Sequence, residues 1–190
     1  MKLIEMKIKD IEAQGVYAVS LVDSPAIEED FIYLSTEDDE DVKLAVTEQG
    51  MVYGLALIPD KHIPRRDKDG NIYNIFFSAE TIKETAHLFL SRQQNNNATL
   101  GHKVQTKDVS FVESWIIEDP ENDKLNALGL KAIKGAWALG GKINSDQLKE
   151  DIKLGKFKGF SIEGTYDVPK TLLEKLEELL NKYEQINKSK

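Results

Sequence analysis

The chain of 190 residues is long enough for one domain with a real core and an appended element, and too short for two full domains. Its formal net charge of -8 argues against a nucleic-acid binder, which needs a basic face to neutralise phosphates. The absence of cysteine removes disulfides, thiolate zinc sites and cysteine nucleophiles, and no stretch approaches the roughly 18 consecutive apolar residues of a membrane helix, so a soluble, unexported protein is expected.

The first stretch, residues 1–36, reads as a strand-rich segment. Val16 through Val22 and Phe31 through Leu34 are apolar and β-branched or aromatic, and Asp23-Ser24-Pro25 between them is a turn signal. Glu37 through Asp41 is an acidic run whose self-repulsion favours solvation, which predicts a connection there and a core domain over residues 42–168. In that core, Met51 through Ile58 predicts a buried strand ended by Pro59. Lys68-Asp69-Gly70-Asn71 predicts a turn into a strand from Ile72 to Phe77. Ser78 suits a helix N-cap, with Ile82, Ala86 and Phe89 at helical spacing behind it, and the polar run 93–97 ends that helix.

Thr99 to Lys103 is short and strand-like, and Val109 through Ile117 predicts a strand closed by the polar loop 118–123. Ala136 to Ile143 predicts another strand. Ser145 caps a short helix carrying Leu148, Ile152 and Leu154, with Gly155 in the usual place after its end, and a strand with Ser161 follows. Residues 169–190 read as an amphipathic helix, since Leu172, Leu173, Leu176, Leu179, Leu180, Tyr183 and Ile186 recur at spacings of three and four. A helix this short is marginal without packing, so it is expected to dock or self-associate; its polar face is not predominantly basic, which disfavours a membrane role.

Chemistry concentrates in Gly159-Phe160-Ser161-Ile162-Glu163-Gly164. Strand alternation sets Ser161, Glu163 and Thr165 on one side, away from the face anchored by Phe160 and Ile162, and the flanking glycines leave room for a substrate backbone. A serine hydroxyl needs a base, and the chain offers three histidines. His62 falls in a charged turn and His87 inside a helix, whereas His102, in Leu100-Gly101-His102-Lys103, lies where a sheet can aim its ring. A third group must hold the imidazole tautomer. Glu113 is the candidate because it interrupts an otherwise apolar strand just after the histidine, with Asp108 or Glu118 as substitutes. Spacing alone leaves the plain reading open, in which Ser161 is an ordinary strand serine and His102 a surface or hydrogen-bonded histidine.

Other motifs fail. Ala136 through Ile143 lacks the first glycine and the Ser or Thr of a phosphate loop, and the acidic runs 38–41 and 118–121 lack the spacing and glycine of a calcium loop, so no cofactor or metal is expected.

A glycine-flanked His102, a strand with Glu113, a Trp137-bearing strand, the helix 145–154 and then Gly-Phe-Ser-Ile, in that order, resemble the prohead maturation proteases of tailed phages, in their phage serine protease branch. Ser20 through Phe31 looks like the opening of many such proteins, and the similarity covers about residues 16–168. The resemblance implies an α+β fold related to herpesvirus assemblins, with a mostly antiparallel, β-barrel-like core and flanking helices. It implies a serine endopeptidase with Ser161 as nucleophile and His102 as general base. Such an enzyme cleaves scaffold and capsid precursor polypeptides, and usually itself, inside the assembling prohead in the host cytoplasm. The third member is a histidine in herpesviruses and usually a carboxylate in phages, and Glu163 stands where several relatives carry glycine. The alternatives are a catalytically idle relative that serves as an assembly scaffold, and a module that binds peptides at a sheet edge.

Overall fold

A computed structural model describes residues 2–27, 32–34, 50–67, 69–167 and 180. The acidic run 37–41 and the amphipathic helix expected at 169–190, apart from position 180, lie outside the described residues.

The strands are β1 (Leu3–Glu5), β2 (Gly15–Val22), β3 (Ile32–Leu34), β4 (Met51–Leu57), β5 (Ile63–Arg66), β6 (Ile72–Phe76), β7 (Ala98–Leu100), β8 (Val104–Thr106), β9 (Val109–Ile116), β10 (Trp137–Ile143) and β11 (Gly159–Thr165). The helices are α1 (Ala79–Ser91), α2 (Lys124–Ala127) and α3 (Asp146–Lys153). The strands form three sheets, ordered β1-β6-β5, β3-β4-β10-β9 and β11-β2-β7-β8. Pairs β1–β6 and β2–β7 are parallel, and the other ladders are antiparallel. The class is α+β, as expected, but the expected barrel-like closure is corrected: among the described residues each sheet keeps two edges.

Local signals explain most elements. Ser78 accepts a hydrogen bond from the Thr81 N–H at the start of α1, and Ser145 does the same from Leu148 at the start of α3. Gly155, after α3, has φ +71, the left-handed conformation that ends helices cheaply in glycine. The hairpin β5–β6 was not expected. Ile63-Pro64-Arg65-Arg66 carries little apolar signal, and its strand state comes from pairing with Ile72–Phe76.

The interior is built around aromatic rings. Phe89 of α1 meets Trp137 of β10 at 5.3 Å and Phe111 of β9 at 6.1 Å, both edge-on, and Phe111 meets Phe160 of β11 at 5.6 Å. Each fully buried ring contributes about 1.5–3 kcal/mol by leaving water, and the edge-on geometry adds to that. The series ties helix and two sheets together at Phe160. With Phe160 held inward, the next residue must face the other way. The N-terminal segment and the core share a sheet, because β2 lies between β11 and β7.

Candidate functional site: a serine, histidine and glutamate on one sheet

Ser161 stands opposite Ser20 on β2, and Ser20 stands opposite Thr99 on β7, so the three form a row across neighbouring strands. Side chains in such a row share a face. Two residues further along β11, Glu163 is on that face too, opposite Ala18. The small Ala18 leaves the glutamate room to reach over β2. Its Oε1 accepts a hydrogen bond from Thr99 Oγ1 and lies 3.0 Å from His102 Nδ1. A bulge between Glu163 and Gly164 then breaks the alternation expected to continue to Thr165. Gly164 is required at that point, since a Cβ there would lie 2.6 Å from the Gly15 carbonyl oxygen.

His102 is in the turn between β7 and β8 rather than on the strand expected for it. Gly101 and His102 have φ +57 and +58, and the Lys103 N–H donates to the Leu100 carbonyl at 3.1 Å. Consecutive positive φ values suit a tight hairpin turn, and a histidine pays strain to adopt one. Two contacts hold it there. The His102 backbone N–H donates to Ser20 Oγ at 2.9 Å, and its ring meets Glu163. Ser20 Oγ also lies 3.3 Å from the Thr99 carbonyl. Ser20 is fully buried and Ser161 nearly so, whereas 42% of the His102 side chain is exposed.

Glu113, the carboxylate expected behind His102, has other partners. It is on β9 in a different sheet, where Oε1 accepts from the Tyr53 hydroxyl at 2.7 Å and Oε2 pairs with Lys124. The Lys124 ammonium also lies over the rings of Tyr53, at 4.3 Å, and Trp115, at 4.8 Å. Gly140 lets β10 pass this cluster, because a Cβ there would lie 2.7 Å from Tyr53. Of the substitutes, Asp108 donates its backbone N–H to Thr106 Oγ1, and its carbonyl accepts from the Asn144 N–H; no described contact joins Asp108 or Glu118 to His102. The fold brings Glu163 to the histidine instead.

No hydrogen bond joins His102 to Ser161 among the described residues; the ring's hydrogen bond goes to Glu163. Nδ1 donating to that carboxylate leaves Nε2 with the lone pair, the tautomer a general base needs. Sequence reasoning missed three participants: Ser20, Thr99 and the contact of Glu163 with the histidine. Ser20 gave the same signal that singled out Glu113, a polar residue interrupting an apolar strand.

A cavity of about 200 Å³ borders Ser161. Phe160, Ser161, Ile162 and Gly164 all line it, so residues from both faces of β11 contribute. A cavity touched from both faces lies along the strand's edge, and β11 is an edge strand. Its far walls come from β1, β4, β5 and β6. Tyr166 also lines it. It packs edge-on against Phe77 at 4.9 Å, its hydroxyl lies 3.2 Å from Thr85 Oγ1, and burial of the phenol pushes its pKa up.

The family described as "Putative phage serine protease XkdF" matches residues 40–170, a span that holds Ser161, His102 and Glu163. The chain belongs to this family. It is also 31% identical over 169 residues to the phage-like element PBSX protein XkdF of Bacillus subtilis (strain 168), covering 84% of this chain and 56% of that relative. The chain therefore spans little more than half the length of that protein. No solved structure matches it.

Proposed function

We propose that this phage serine protease family member is a serine endopeptidase in which Ser161 is the nucleophile, His102 the general base and Glu163 the group that orients the histidine. The observation that carries the reading is the His102 Nδ1 to Glu163 Oε1 contact of 3.0 Å on the sheet face that also bears Ser161. A carboxylate in this position fixes the tautomer and stabilises the imidazolium formed during reaction. The hydroxyl of Ser161 bonds to the scissile carbonyl carbon as its proton passes to His102 Nε2. That proton then leaves with the amine as the peptide C–N bond breaks, and water repeats the cycle to release the acyl group.

The ring must come within hydrogen-bond reach of Ser161 when substrate binds. Exposure of the His102 side chain gives it space to do so, and contacts of this kind commonly tighten only in the complex. The substrates in this reading are the scaffold and capsid precursor polypeptides of an assembling prohead, and the protease itself, with a homo-oligomer acting inside the shell in the host cytoplasm. Kinship with the herpesvirus assemblins belongs to the same reading. Its support is a strand-borne serine and a histidine in the β7–β8 turn of the same sheet.

The test is intact-mass analysis of wild type and Ser161→Ala, each co-expressed with a candidate capsid scaffold polypeptide. Wild type is expected to yield defined fragments that are missing with Ser161→Ala. Identical fragments in the two samples would remove Ser161 from the role. No cleavage in either favours the idle scaffold reading, which the missing His102–Ser161 hydrogen bond supports.

A further inference from the structure

The cavity beside Ser161 has an apolar wall and one charged side chain, Arg65 of β5. Ile4, Ile75, Phe77, Phe160 and Ile162 supply much of the wall. Arg65 lies opposite Tyr73 in the β5–β6 hairpin, and its Nη1 donates to its neighbour's carbonyl, that of Pro64, at 3.0 Å. It has no ion pair among the described residues. Many of the lysines, by contrast, have found carboxylates: Lys7 with Glu5, Lys9 with Asp167, Lys124 with Glu113 and Lys156 with Asp151. In a chain of net charge -8, a cation that meets no carboxylate among the described residues and borders an apolar cavity is a specific arrangement.

Arg65 remains exposed overall at the rim, while the surrounding wall desolvates its guanidinium and lowers its pKa from the ordinary value. It stays cationic, and partial desolvation strengthens its attraction for an anion. Its forked donors match a carboxylate, and the space behind it suits an aliphatic stem. We infer that this cavity is the subsite for an acidic substrate side chain, glutamate before aspartate, flanking the scissile bond, with Arg65 as the residue that selects it. The inference rests on the protease reading for its position in the reaction. The chemistry of the cavity stands without it: an aliphatic group ending in a carboxylate.

The experiment uses two small probes and a peptide mixture. Sodium hexanoate and the neutral hexanamide are titrated at equal ionic strength into the ¹⁵N-labelled full chain while the amides of Ile75, Ile162 and Gly164 are followed. Hexanoate is expected to saturate these shifts at about tenfold lower concentration than hexanamide, and Arg65→Gln to abolish the difference. In parallel, cleavage of a proteome-derived peptide mixture is read by mass spectrometry. Acidic residues are expected beside the cut bonds, and Arg65→Glu is expected to replace that preference with one for basic residues. Equal affinity for the two probes, or an advantage that survives Arg65→Gln, overturns the inference whatever the peptides give. Cleavage without acidic enrichment overturns the subsite. No cleavage with the hexanoate advantage intact removes the protease reading alone and leaves the carboxylate-binding cavity standing.

Discussion

Glu113 and Glu163 are the same side chain on comparable strands, and the fold gives them opposite surroundings. Glu113 meets a lysine, a tyrosine hydroxyl and two aromatic faces in the β3-β4-β10-β9 sheet. Glu163 meets a histidine and a threonine hydroxyl two residues from Ser161. The first holds a permanent cation, so its charge serves only packing and pairing. The second faces the ring to which the proposed mechanism gives the role of general base. Glu163 is also the more shielded, with 19% of its side chain exposed against 33% for Glu113, and water screens its pair less. What separates the two carboxylates is the partner that topology delivers.

Substituting each one separately breaks or sharpens that contrast most strongly. Glu163→Gln should lower the rate of peptide cleavage by about 10²- to 10⁴-fold, because an amide does not hold the reactive tautomer. Glu113→Gln should leave the rate within about threefold and cost up to about 1 kcal/mol in urea unfolding. Equal rate losses in the two variants would erase the distinction.

Ser20→Ala probes the other hold on His102. Losing the acceptor for the His102 N–H should cost about 0.5–1.5 kcal/mol, as expected for a part-buried hydrogen bond, and slow cleavage by about tenfold through a looser turn. An unchanged cleavage rate would mean that the Glu163 contact alone positions the ring.

The smallest effect is expected at the far end of β11. Burial raises the Tyr166 pKa above its ordinary value of 10.0, so the stability tied to its neutral form is fully present below pH 10 and is lost as pH climbs above it. Tyr166→Phe should lose less stability than wild type between pH 9 and 11, measured by urea unfolding, while sacrificing the Thr85 hydrogen bond at pH 7. Parallel pH dependence in both proteins would mean that the phenol is not shielded.

Capping serines, strand-length apolar runs and the glycine after α3 were legible because each acts over a few residues. Ser78, Ser145 and Gly155 do their work within one turn of their own helix. Strand β5 was not legible, because its conformation is set by β6 across the hairpin rather than by its own side chains. The same limit applied at the site. His102 and Ser161 stand out by residue type and setting, whereas nearness along the chain is a poor guide to the carboxylate that meets the histidine. Strands β9 and β7 are close in sequence and lie in different sheets, so proximity along the chain pointed to Glu113.

The chain's own chemistry determined that no thiol nucleophile is available, that only three histidines are candidate bases, and that Ser161 and Glu163 share a face of their strand. These follow from composition and from the two-residue period of a strand, which operate locally. Tertiary structure alone decided which carboxylate meets His102, that Ser20 anchors the histidine's backbone, and that Arg65 comes to the edge of β11 near Ser161. Each of those depends on which strands become neighbours, and the pairing of residues 60 or more positions apart is a property of the whole core rather than of any segment within it.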